Sequence, residues 1–186
     1  AVILDPAEKK QAFSYSLQMM VTNGLWALFM LTNTFMLGQF SGDSVVLADF
    51  KIANTFPANL ALFSSGIGIF VGPYFTKKEE DPNWVRKSYL KTLRITTVIQ
   101  LGAAIIIFIF AKPLLWIFGE QYYNVIPVMR WLTIGSFINT GLRFPTANIL
   151  SSIGRAKFNM IISAIGFVLL VFLNLLLIPR FGSTGL

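Results

Sequence analysis

Four long uncharged stretches constrain the fold of this chain more than any other feature. They cover residues 11–42, 52–76, 95–111 and 158–179. At about 1.5 Å of helix per residue, each stretch covers most or all of a hydrocarbon core about 30 Å thick. A fifth stretch, residues 121–154, is equally apolar except for Arg130 and Arg143. We therefore expect an all-α, multi-span membrane bundle in a single domain, with about five transmembrane helices near residues 11–40, 44–75, 83–111, 121–151 and 157–179.

Composition limits the chemistry that this chain can perform. Hydrophobic residues make up 55% of the chain and charged residues only 12%, a balance far from that of a soluble domain. Cysteine and histidine are both missing, so no thiol or imidazole can serve as nucleophile, base or metal ligand. We expect no enzyme activity, no cofactor and no metal site. Ala1 and a very short apolar run precede Asp5 and Pro6, which favours an internal piece of a longer protein.

The basic residues predict how the bundle is oriented. The net charge of +7 comes mostly from short segments between the apolar stretches, a pattern typical of membrane proteins rather than of nucleic-acid binders. Ten basic residues fall on one side of the predicted spans, namely Lys9, Lys10, Lys77, Lys78, Arg86, Lys87, Lys91, Arg94, Arg155 and Lys157, against Lys51, Lys112 and Arg180 on the other. By the positive-inside rule, the N-terminus is expected on the cytoplasmic side of the cell (inner) membrane.

Polar side chains in the fourth predicted span fall on one helical face. Ser136, Asn139, Arg143 and Thr146 recur at helical spacing, and Pro145 predicts a bend. An arginine near the bilayer centre costs at least about 2.5 kcal/mol on insertion scales, so Arg143 is expected to face a cavity or a carboxylate. Every acidic residue lies at a span end or in a loop, so an ion pair would need another part of the protein.

Other polar and basic residues in the spans have two interpretations each. Asn54 and Asn59 either line a cavity or serve helix packing. Lys51 and Arg130 lie about two turns inside the membrane on the external side. They either face the cavity near its exit or extend toward the external interface.

Two local patterns concern structure rather than chemistry. Ser64, Gly68 and Gly72 recur every four residues in the second span and predict a close contact between helices. Asp81 followed by Pro82 predicts the N-cap and first residue of the third helix.

Several motifs occur in an order that is similar to a known family. TNTFMLG at residues 32–38 is followed by VLADFKIA at 46–53 and IFGEQY at 117–122, and then by IGRAK at 153–157 and NLLLIPRFG at 174–182. Their order and spacing over nearly the whole chain resemble the polysaccharide exporters of the multidrug/oligosaccharidyl-lipid/polysaccharide superfamily.

The resemblance implies a larger fold and a transport function. It implies about twelve to fourteen helices in two lobes around a central cavity, of which this chain supplies five helices of the second lobe. A further helix is then expected to begin near residues 182–186. The implied role is to flip undecaprenyl-diphosphate-linked oligosaccharides across the cytoplasmic membrane. Asn33 stands where the family often has an Asp, so no ion-coupling role is carried over to that position.

The residues themselves favour transport of an anionic ligand by alternating access. The predicted cavity residues are Arg143, Asn139, Ser136, Arg130, Lys51, Asn54, Asn59 and Asn33. The expected partners are the lipid-linked oligosaccharide, membrane lipids, the other lobe and the glycan polymerase machinery, and no nucleic acid.

Three alternative functions stay open. A multidrug exporter of the same superfamily would carry cations and would favour acidic cavity residues. A membrane glycan polymerase or glycosyltransferase would use surface carboxylates, but Asp43, Asp49 and Glu120 show no catalytic spacing. A structural scaffold subunit would have no use for the polar face at Arg143.

Overall fold

The first two thirds of the chain form three long helices and two short elements. The computed structural model describes residues 5–41, 43–78 and 80–181, and within these every regular element is helical. The bounds are Pro6–Ser41 for α1, Ser44–Lys77 for α2, Pro82–Ile109 for α3, Ala111–Trp116 for α4 and Glu120–Val125 for a 3₁₀ turn. The helix expected to begin near residues 182–186 lies outside the described residues.

The last third contains a composite helix followed by a long one. α5 covers Ile126–Ile138, a π-helical turn covers Asn139–Arg143, and α6 covers Phe144–Ser152, one directly after the other. α7 covers Ala156–Phe181. The predicted all-α fold class is confirmed.

Four of the described helices, α1, α2, α3 and α7, are long and apolar enough to cross a membrane. The fifth stretch, which the sequence predicted as one span over residues 121–151, is divided among the 3₁₀ turn, α5, the π turn and α6. Residues 126–152 together reach about 40 Å at 1.5 Å per residue, so their total length is sufficient to cross. That this composite helix spans the membrane stays a prediction.

Aspartates begin two of the long helices. Asp81 Oδ1 accepts hydrogen bonds from the backbone N–H groups of Asn83 (3.1 Å) and Trp84 (3.0 Å), and Pro82 is the first residue of α3. Proline fits this position because the N–H that it lacks has no partner in the first turn. The predicted start of the third helix is confirmed. Asp43 caps α2 in the same way.

Small residues bring α2 and α6 close together. α1 packs along α7, whereas α2 packs against α3, α5 and α6. A Cβ added to Gly68 would overlap the Asn148 side chain, and a Cβ on Gly72 would lie 3.2 Å from Ser152 Oγ. The close helix contact predicted from the small-residue spacing is therefore present, and its partner is α6.

The two ends of the bundle differ in character. Tyr15 Oη donates to Ser151 O and Thr76 Oγ1 donates to Ser152 O, each over 3.0 Å. These bonds bring the start of α1, the end of α2 and the turn before α7 together, so the ten basic residues of the predicted cytoplasmic side surround one end, which we call the basic end. At the other end lies an apolar core that includes Leu37, Phe50, Leu115 and Met129.

Candidate functional site

The candidate site is organised around the π turn between α5 and α6. The backbone N–H of Phe144 donates to Asn139 O, five residues earlier, so Thr140 O loses the donor that an α-helix would provide. Pro145 has no N–H and therefore cannot donate a hydrogen bond to Gly141 O. The turn therefore leaves two adjacent carbonyl groups that need donors from elsewhere. Such π turns are rare in helices and are frequent at functional sites.

Side chains of the neighbouring helices supply the missing donors. Ser64 Oγ on α2 donates to Thr140 O, and Thr97 Oγ1 on α3 donates to Gly141 O over 3.1 Å. Gln100 Nε2 on α3 donates to Ser64 Oγ over 2.6 Å. Because buried carbonyls are costly to leave unpaired, this network stabilises the π turn and fixes the residues on either side of it.

Beside this network, two buried polar atoms have no hydrogen-bond partner in the described part of the chain. They are Gln100 Oε1 and Thr96 Oγ1, which lie one helical turn apart on α3. Both residues are fully buried. Most buried polar groups in proteins have a hydrogen-bond partner, so these two atoms near the π turn are exceptions.

Arg143 is the last residue of the π turn and is half-buried. Its Nη1 donates to Asn139 Oδ1 over 3.4 Å, and its Nη2 donates to Ser163 Oγ on α7 over 3.0 Å. The guanidinium carbon lies 5.3 Å from the centre of the Trp26 ring on α1. All three contacts are to neutral groups. Two of the five guanidinium N–H groups are engaged in these hydrogen bonds, which leaves donors for a ligand.

A cavity of about 510 Å³ lies beside this arginine, between α1, α2, α5 and α7. Its polar lining is formed by Asn33, Asn54, Ser136 and Asn139, and its aromatic lining by Trp26, Phe29, Phe50 and Trp131. We call it the amide cavity. No acidic residue occurs among the described residues that line it. Its volume is in the range of small-molecule binding sites.

The amide cavity contains four of the eight residues proposed from the sequence. Asn33, Asn54, Ser136 and Asn139 come from three different helices and meet at its wall. Arg143 is next to the wall, since it donates a hydrogen bond to Asn139 and its guanidinium carbon lies over the Trp26 ring. The Asn33 side chain is held in place by a hydrogen bond from Asn174 on α7.

The other three proposed residues lie elsewhere. Asn59 is exposed and its Nδ2 donates to Thr55 O of its own helix over 2.8 Å. Arg130 Nε donates to Phe108 O near the end of α3 over 3.3 Å, and the guanidinium lies 5.0 Å from the Phe108 ring. Lys51 is exposed. None of the three lines the amide cavity.

Three residues of the site were not proposed from the sequence. Ser163 contacts Arg143, and Asn174 Nδ2 donates to Asn33 Oδ1 over 2.8 Å. The sequence carries a signal for Ser163 and Asn174. Together with Asn159 they occur at intervals of four and eleven residues, which places all three on one face of α7. All three are buried. Trp26 carries no signal of this kind, since aromatic residues are common in apolar spans.

The arrangement is suited to a ligand with both negative charge and hydroxyl groups. The guanidinium attracts an anion, and its planar fork matches the oxygen atoms of a phosphate. The amides can donate and accept hydrogen bonds, while the aromatic rings offer flat apolar surfaces. A polar cavity among long apolar helices is the arrangement expected of an α-helical membrane transporter.

The chain belongs to the MatE family, whose model matches residues 19–176. This family lies within the superfamily predicted from the sequence motifs, and its members are transporters rather than enzymes. The match supports the superfamily and does not distinguish its polysaccharide branch from its multidrug branch. No curated protein and no solved structure is detectably similar to the chain.

Proposed function

We propose that this chain is part of a flippase that moves a lipid-linked oligosaccharide across the cell membrane and holds it by its diphosphate. One observation carries the proposal. Arg143 has only neutral partners and lies beside a cavity without acidic lining residues in the described part of the chain. A guanidinium in this low-dielectric setting attracts an anion strongly.

The lining of the amide cavity supports a glycan as the rest of the ligand. Asn33, Asn54 and Asn139 offer donors and acceptors that match sugar hydroxyl groups. Trp26 and Trp131 offer ring faces on which the apolar face of a sugar can pack. Diphosphate and first sugar are neighbours in a lipid-linked glycan, just as Arg143 and the amides are neighbours here.

Export of cationic drugs is the alternative that the MatE family fits at least as well. Binding a cation inside a membrane favours a carboxylate in the cavity. The described lining of the amide cavity has none, and Arg143 would repel a cation. The cavity therefore gives more support to the anionic ligand.

A binding measurement on the purified full-length protein tests the proposal. The probes are a fluorescent analogue of undecaprenyl diphosphate and, separately, ethidium as a cationic dye. We expect Arg143→Gln to weaken binding of the diphosphate at least tenfold, because hydrogen bonds to a charged group contribute about 1.5–3 kcal/mol. Arg143→Lys should retain part of the affinity, since the charge remains although the planar fork is lost.

Arg130→Gln is the matched control, with the same substitution in the same stretch of the chain but outside the amide cavity. It should change the affinity for the diphosphate by less than about threefold. Arg130 is exposed and does not line the amide cavity. Equal losses from the two Gln variants would argue against a specific role of Arg143. Tight binding of ethidium, with no binding of the diphosphate, would favour the multidrug alternative.

A further inference from the structure

A second and larger cavity, of about 690 Å³, lies at the basic end of the bundle. It opens between the start of α3, α6 and the turn that leads into α7. Its apolar wall is formed by Pro82, Val85, Ile149, Leu150 and Ile153, and its basic residues are Arg86 and Arg155. We call it the basic cleft. Its lining on α6 begins at Thr146, three residues after Arg143, and it shares no lining residue with the amide cavity.

The two arginines of the basic cleft are available to a ligand. Both are exposed, and neither side chain makes a hydrogen bond or ion pair in the part of the chain that the structure describes. No acidic residue lines the cleft among the described residues. Asp81, which precedes α3, accepts hydrogen bonds from the first turn of that helix and does not line the cleft. The described residues that line the cleft therefore carry positive charge only.

The walls of the cleft are held in place by specific contacts. The hydroxyl groups of Tyr89 on α3 and Thr146 on α6 are hydrogen-bonded over 3.1 Å. After α6 the chain turns at Gly154, which has a φ of 71°, and Arg155 N donates to Leu150 O over 2.9 Å. A positive φ is accessible to glycine at little cost. The turn at Gly154 therefore fixes the position from which the Arg155 side chain extends.

We propose that the basic cleft binds the phosphate headgroup of an anionic phospholipid. Two unpaired guanidinium groups suit phosphate oxygens, and the apolar wall beside them suits the start of an acyl chain. Trp84 and Tyr89 lie on the same turns of α3 as Arg86. Tryptophan and tyrosine are enriched at the membrane interface, where lipid headgroups are found. A soluble anion would make no use of the apolar wall. This proposal is independent of the ligand proposed for the amide cavity.

The test measures binding of a fluorescent short-chain phosphatidylglycerol to the full-length protein in neutral detergent. We expect the double variant Arg86→Gln with Arg155→Gln to weaken binding by about tenfold or more, since each basic residue near an anionic headgroup contributes about a factor of five. The double variant with lysine at both positions should keep most of the affinity.

Lys87→Gln with Lys91→Gln is the matched control, because these exposed lysines lie on the same turns of α3 but do not line the cleft. It removes the same charge from the same end of the bundle and should weaken binding less than about threefold. Equal losses from the two Gln pairs would overturn the proposal, because the lipid would then respond to surface charge alone. Displacement of the lipid by inorganic phosphate at constant ionic strength would also overturn it, since it would assign the cleft to a soluble anion.

Discussion

Ser64 and Ser65 are neighbours on α2 with very different surroundings, and replacing each with alanine tests how the π turn is held. Ser64 is buried, donates to Thr140 O of the π turn and accepts from Gln100 Nε2. Ser65 Oγ donates only to Leu62 O of its own helix, over 2.9 Å. The same chemical change thus removes a contact between helices at one position and a local contact at the next.

The structure sets the size of the expected effect. Ser64→Ala leaves one amide N–H of Gln100 and the Thr140 carbonyl without a partner, and a buried group left unpaired costs about 1–3 kcal/mol. The total loss in the free energy of unfolding should be at least about 2 kcal/mol. Ser65→Ala should change it by no more than about 0.5 kcal/mol, as is usual at exposed sites.

The assay is SDS titration of the purified full-length protein in bicelles, followed by circular dichroism. Combining Ser64→Ala with Gln100→Leu should cost less than the sum of the two single changes, because each removes the partner of the other. If Ser64→Ala and Ser65→Ala destabilise the protein equally, the buried network does not stabilise the π turn and the reasoning fails.

Two further predictions concern packing and orientation. Gly68→Ala should destabilise the protein by about 1–3 kcal/mol because the new Cβ overlaps Asn148, whereas Gly66→Ala, which meets open space, should not. Thermal unfolding of the two variants measures the difference. Equal unfolding midpoints would contradict the close contact between α2 and α6. In this chain without cysteine, a cysteine at Gln121 should react with an impermeant maleimide added to intact cells, and one at Asn83 only after permeabilisation. The reverse pattern would invert the orientation.

Features that depend on local sequence could be predicted, because their physical causes lie close together in the chain. Long uncharged stretches gave the helices, and Asp81 with Pro82 gave the start of α3. That Arg143 has no acidic partner among the described residues was expected from the distribution of charges alone. The contact partners of these elements could not be predicted in the same way, since residues such as Phe108 and Ser163 are distant in sequence from the arginines that they bind.

The π turn is the feature that the helical spacing could not reveal. The spacing placed Thr146 on the same face as Ser136 and Asn139, assuming 3.6 residues per turn throughout. The extra residue in the π turn rotates α6 by about 100° relative to α5, because one residue of an α-helix turns by this angle. Thr146 is bonded to Tyr89 and does not line the amide cavity with Ser136 and Asn139, although it still shares a smaller cavity with Arg143. Pro145 indicated a bend but not its kind.

Asn33→Asp offers a final test of the charge preferred by the amide cavity. Asn33 Oδ1 accepts a hydrogen bond from Asn174, and a carboxylate keeps this acceptor, so the protein should fold normally. A cavity of about 510 Å³ is only about 10 Å across if spherical, so a diphosphate held at its wall by Arg143 lies about 10 Å from the new charge.

At an effective dielectric constant of about 20, two unit charges at that distance repel by about 1.7 kcal/mol. A diphosphate carries more than one negative charge, so its affinity should fall at least about fifteen-fold. The same carboxylate should improve binding of ethidium. Asn33→Leu is the control, since it has a similar size but adds no charge, and it should weaken binding of the diphosphate less than Asn33→Asp does. If Asn33→Asp binds the diphosphate as tightly as the wild type, the diphosphate does not lie beside the amide cavity, and the position proposed for it at Arg143 is wrong.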